Sequence, residues 1–125
     1  MATIKSYTDL EQSKKLAEIL PLESANYCWG IDDETLHYNN SPYPCAWKDY
    51  TCKEYYIPCW SLSALLDVLS EIKPQVYTPI LFPSEGKWIL QFAEYGHGNV
   101  CEVTCDNPVD ACVEMIMHLN ELKML

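Results

Sequence analysis

Residues 57–69 read I-P-C-W-S-L-S-A-L-L-D-V-L. An extended Ile57-Pro58 step leads into Trp60, and Ser61 is placed to cap a helix. The apolar residues that follow fall at Leu62, Leu65, Leu66 and Leu69, the i, i+3, i+4, i+7 stripe of an amphipathic helix. This helix should end near Ile72, because Pro74 pushes Lys73 out of helical geometry.

Downstream, residues 78–82 (T-P-I-L-F) predict a strand, and Pro79 puts it at an edge or at its own start. Pro83-Ser84-Glu85-Gly86 reads as a turn. Residues 87–95 (K-W-I-L-Q-F-A-E-Y) form the clearest strand in the chain. Trp88, Leu90 and Phe92 fall on one face, and Ile89, Gln91 and Ala93 on the other. Gly96-His97-Gly98-Asn99 is the next turn. Residues 100–105 (V-C-E-V-T-C) set Cys101, Val103 and Cys105 against Glu102 and Thr104. Together these strands make an antiparallel meander with one apolar face. Asn107 then suits the N-cap of a last helix, Pro108 its first turn, and Asp110 the positive end of its dipole. Val109, Cys112, Val113, Ile116, Leu119 and Leu122 supply its apolar face, with His118 at the core edge.

Upstream, residues 1–7 read as a lead-in. Thr8 to Glu11 (T-D-L-E) is a capping-box pattern opening a helix over residues 9–20. Leu10, Leu16, Ala17 and Leu20 form its apolar side, Glu11, Lys14, Lys15 and Glu18 its solvated side, and Pro21 its stop. Residues 25–31 (A-N-Y-C-W-G-I) predict a strand, and 35–38 its return. Residues 39–50, with Pro42 and Pro44, read as loop. Residues 53–57 predict a strand delivering the chain to Pro58. The expected fold class is α+β, with an antiparallel three-stranded meander that an N-terminal hairpin can extend. Helices pack it in the order α-(ββ/loop)-β-α-β-β-β-α, within one domain spanning residues 1–125.

Formal charge is -10 over 125 residues, and every basic residue is a lysine. Without arginine, bidentate readout of bases and phosphates loses its usual instrument, so direct nucleic-acid binding is not expected. A basic protein partner fits the charge. No apolar run approaches the ~20 residues of a membrane span, so no membrane partner is expected. The first residues lack the layout of a signal peptide, and the cytoplasm is the expected compartment. Seven cysteines, an odd number, should be reduced there.

Cys101-x3-Cys105 is the one close cysteine pair, and both side chains should point into the core. Cys45, Cys52 and Cys59 recur every seven residues, but through loop and strand. His37, His97 and His118 stand in no nucleophile motif with any cysteine. Asp32, Asp33 and Glu34 read as a solvated acidic turn, and Asp67 and Glu71 as a like-charge pair on an outer helix face. No phosphate-binding glycine loop and no G-x-S-x-G occurs. No catalytic residue, metal ligand or cofactor is therefore expected. The best functional candidate is aromatic. Tyr43, Trp47, Tyr50, Tyr55 and Tyr56 crowd together with Pro42, Pro44 and Pro58, either as a binding surface or as a cover over the core.

Three stretches carry a resemblance: residues 4–25 (I-K-S-Y-T-D-L-E-Q-S-K-K-L-A-E-I-L-P-L-E-S-A), residues 57–69, and residues 107–119 (N-P-V-D-A-C-V-E-M-I-M-H-L). The combination resembles a group of small uncharacterised proteins of gut-bacterial genomes and their phages or mobile elements. It implies a genomic setting and no mechanism, and no residue role carries over from it. The expected function is a non-enzymatic protein–protein interaction or regulatory accessory module. Two alternatives stay open: a small Cys/His-dependent enzyme or metal-binding protein, and an acidic nucleic-acid mimic. Oligomeric state is left open.

Overall fold

The computed structural model describes residues 5–30, 42–44 and 56–125. Its elements in chain order are α1 (Leu10–Ala17), β1 (Tyr27–Gly30), β2 (Tyr43–Pro44), β3 (Tyr56–Cys59), α2 (Leu62–Ser70), β4 (Tyr77–Ser84), β5 (Lys87–Glu94), β6 (Gly98–Cys105) and α3 (Pro108–Glu121). The strands form two antiparallel three-stranded sheets, β2-β1-β3 and β4-β5-β6. The expected α+β class and element order hold. The N-terminal strands make their own sheet rather than extending the meander.

The helix that begins within residues 57–69 forms as its spacing requires. The Ser61 side chain accepts from Ala64 N–H at the α2 N-terminus. Leu65 and Leu69 are fully buried, and Leu62 and Leu66 pack against the same core. The chain leaves helical geometry at Lys73, whose φ is 40°. Glu85 and Gly86 join β4 to β5 with φ of 51° and 80°. Positive φ at both central residues is the type I′ hairpin, whose twist matches the flanking strands. Leu90 of the central strand then pairs with Leu81 on one side and Val103 on the other, on the inner face that α2 and α3 cover. α3 is capped by Asn107, whose side chain accepts from Asp110 N–H, with Pro108 in its first turn. Its buried face is Val109, Ala111, Cys112, Val113, Met115, Ile116 and Leu119. Leu122 and His118 lie outside that face and are exposed.

Upstream, the cap of α1 is one residue later than its pattern suggests. Asp9 accepts from Gln12 N–H while the Gln12 side chain accepts from Asp9 N–H. Thr8 is buried instead. Ala17 faces solvent, while Leu16 and Leu20 are buried. The lead-in is also structural: Thr8 N–H donates to Trp60 O at 2.9 Å, and Leu62 N–H to Ser6 O at 3.1 Å. β1 ends at Gly30 and pairs with β3 along its length, Tyr27 opposite Cys59 and Gly30 opposite Tyr56. Within the stretch read as loop, Tyr43 and Pro44 form β2 across from Cys28 and Tyr27. The return strand expected over 35–38 lies outside the described residues. One continuous core runs from Leu16 and Cys28 through Trp60, Leu65 and Leu69 to Phe92, Met115 and Leu119. No helix among the described residues is long and apolar enough to cross a membrane.

Candidate functional site

Among the described residues, three places bring together chemistry-bearing or uncovered side chains. The first is a cleft of about 520 Å³ between α1, the end of β6 and the first turns of α3. Gln12, Lys15, Lys87, Cys105, Asp106, Asp110 and Glu114 line it. Its charges are mostly matched to each other. Lys5 Nζ donates to Asp110 Oδ1 at 2.8 Å and to Asp9 Oδ2 at 3.0 Å. Gln12 Nε2 and Asn107 Nδ2 add 2.8 and 2.7 Å bonds to the Asp110 carboxylate. Lys87 pairs with Asp106. Burial alone would raise the Asp110 pKa, but the Lys5, Gln12 and Asn107 hydrogen bonds and the Lys5 charge outweigh it and hold it below its ordinary value. For Lys5, burial pulls the other way and is outweighed by the bonds and charges of Asp110 and Asp9, so its pKa is raised.

Asp110 is thus a strut tying the lead-in to α3. A depressed carboxylate pKa stabilises the fold above the unfolded value of about 4 and loses that contribution as pH falls through the folded value. Asp110→Asn should therefore lower stability at neutral pH and flatten its fall below about pH 4. Urea unfolding of both proteins between pH 2.5 and 7 checks this; parallel acid limbs would contradict it.

The second place is the thiols. Cys28, Cys59, Cys101, Cys105 and Cys112 are free, and Cys45 and Cys52 lie outside the described residues. Cys105 Sγ donates to Glu114 Oε2 at 2.9 Å. Burial, that bond and the charges of Glu114, Asp110 and Asp106 push its pKa up to about 12. Burial likewise pushes Cys112 up to about 12, and raises Cys101, which donates to Met115 Sδ at 3.1 Å. Cys59 is raised chiefly by burial, against bonds from Thr8, Ser13 and Trp29. A nucleophilic cysteine needs its thiolate stabilised, and these four environments do the opposite. His97 and His118 are exposed, and His37 lies outside the described residues. No group of three His, Cys, Asp or Glu among the described residues has the arrangement of a metal site.

Of the aromatic candidates, Trp47, Tyr50 and Tyr55 lie outside the described residues. Tyr43 enters through its backbone in β2. Tyr56 is half-buried, packs against the core and, with Lys14, Leu20, Leu22 and Pro58, lines a pocket of about 300 Å³. The structure therefore places Tyr56 partly as core cover.

The third place is the outer face of the meander. Side chains alternate along a strand. With Leu81, Leu90, Phe92 and Val103 turned to the helices, Thr78, Ile80 and Phe82 of β4 and Ile89, Gln91 and Ala93 of β5 point the other way. Tyr95 N–H bonds to Val76 O, extending the ladder by one pair. Val76, Ile80 and Tyr95 on this face are 37%, 43% and 59% exposed. One carboxylate stands among them: Glu102, opposite Gln91, whose Nε2 donates to it at 3.3 Å. The strand patterns alone predict a meander with one apolar face. The signal against that was present, because β4 is apolar at successive positions (Ile80, Leu81, Phe82) rather than alternating, a pattern of strands covered on both sides.

Comparison with protein-family models, with curated proteins and with solved structures found no match for this chain.

Proposed function

We propose that the chain is a non-enzymatic protein-binding module that docks a partner on the outer face of β4-β5-β6. One observation supports this reading above the others. Val76, Ile80 and Tyr95 are exposed together on a sheet whose other face already holds the core. Large apolar side chains grouped on one surface mark interaction sites more often than side chains scattered singly. The raised thiol pKa values lend no support to a cysteine nucleophile. The resemblance to proteins of phages and mobile elements supplies the setting, an accessory or regulatory role in the cytoplasm.

The test is affinity capture from the cells that carry the gene, with wild type and with Ile80→Glu and Tyr95→Glu as baits. A glutamate in the apolar centre of an interface should weaken partner binding at least about tenfold. Circular dichroism should show all three baits equally folded, since both side chains face solvent. Equal capture by the wild type and both variants would overturn the assignment of this face.

A further inference from the structure

We infer that the outer face of β4-β5-β6 takes a cationic amphipathic helix, with a lysine or arginine of that helix opposite Glu102. This rests on the protein-binding reading above and specifies the partner. The two sheet edges are poor acceptors of an added strand. β4 carries Pro79 and Pro83, which remove ladder donors. β6 carries an irregularity where Phe92 pairs with Cys101 but Ala93 with Asn99, leaving Val100 as an extra residue. Bulges and prolines are the usual means of closing an edge. The face is what remains open.

A second copy of this chain is a poor occupant. Ile80, Gln91 and Glu102 form one row across the sheet. A two-fold axis along that row sets Glu102 against its own mate. An axis along β5 sets it against the Ile80 of the copy. Either way a carboxylate is covered without a cation, at a desolvation cost that nothing repays. Lys87, at the far end of the face, is already paired with Asp106. Two chains of charge -10 also repel each other. A partner bringing its own cation removes all of these costs.

The dimensions suit a helix. Three strands about 4.8 Å apart span about 10 Å, close to a helix diameter. Eight-residue strands run about 26 Å, the length of about 17 helical residues. α2 and α3 already show that helices seat on this sheet from its other side.

The probes are two synthetic 18-residue helical peptides with a leucine stripe, identical except for a central lysine or glutamate within it. Each is titrated into the ¹⁵N-labelled full chain. The lysine peptide should shift amide signals over residues 76–82 and 89–95 and bind about tenfold more tightly than the glutamate peptide. Glu102→Lys should reverse that order. Equal binding of both peptides at this face would overturn charge selection by Glu102 while leaving the protein-binding reading standing. No shift at this face with either peptide would overturn the helix assignment. Shifts there on raising the concentration of the chain alone would show a second copy instead. The assignment of this face as the docking site fails separately, if Ile80→Glu and Tyr95→Glu capture partners as wild type does.

Discussion

Trp60→Ala should be the most damaging single substitution among the described residues, costing about 3–5 kcal/mol of stability. Trp60 is fully buried between the end of β3 and the start of α2. Its indole ring lies in the same core as Leu16, Leu65 and Leu69. Its Nε1–H donates to Ser24 Oγ at 2.9 Å, fixing the turn that follows α1. Truncation opens a cavity where two halves of the chain meet and frees the Ser24 hydroxyl, which keeps only its 2.6 Å bond to Pro21 O. A chain of this size holds about 5–15 kcal/mol in total, so a loss of 4 kcal/mol cuts the folding constant about a thousandfold. Trp60→Phe keeps most of the volume and removes the donor, and should cost about 1–2 kcal/mol. Urea unfolding followed by circular dichroism, with the three proteins side by side, gives both differences. An alanine variant within 1 kcal/mol of wild type would show that Trp60 is not the seam between the halves.

Local patterns made the second half of the chain legible. Ser61, Asn107 and Pro108 signal helix starts through bonds that span only a few residues, and each does so in the structure. The strand periods of 87–95 and 100–105 place Leu90, Phe92, Cys101 and Val103 inward as they should. The misreadings come where the deciding partner is distant. Thr8 has the sequence position of a cap, yet its partner Cys59 is 51 residues away. Asp9 can then do the same capping work one residue on. The lead-in 5–8 was featureless until its partners, Trp60, Leu62 and Asp110, were known.

The candidate surface was legible in part for a similar reason. Aromatic density singled out residues 43–56, and density alone does not say whether a ring packs inward or outward. Tyr56, at the described end of that stretch, packs inward. The uncovered face emerged from β4, where Pro79 and Pro83 masked an otherwise continuous apolar strand. Counting apolar residues on both of its faces, rather than on one, would have pointed there.

Thr8→Val should cost about 2–4 kcal/mol although it hardly changes shape, because it orphans several buried polar groups at once. Thr8 is fully buried with Ser13 beside it. Thr8 Oγ1 lies 2.7 Å from Ser13 Oγ, 3.4 Å from Cys59 Sγ and 3.1 Å from the Trp60 N–H that donates to it. Trp29 Nε1–H donates to Ser13 Oγ at 3.2 Å, and Cys59 Sγ donates to Thr8 O at 3.3 Å. One assignment of protons satisfies every group: Trp29 donates to Ser13, Ser13 to Thr8, Thr8 to Cys59, and Cys59 to the Thr8 carbonyl. No buried side-chain nitrogen or oxygen among the described residues lacks a partner. Valine removes the central oxygen, so the Trp60 N–H and the Ser13 hydroxyl both lose their bonds to it. Thr8→Ser keeps the hydroxyl and gives up one methyl, about 1 kcal/mol. The order valine worse than serine is the diagnostic result, since apolar packing alone predicts the reverse. In a Thr8→Val, Ser13→Ala double variant, one orphaned hydroxyl disappears with its partner. The combined loss should then fall below the sum of the single losses by about 0.5–3 kcal/mol. Strict additivity in urea unfolding would show that the two hydroxyls do not act as one network.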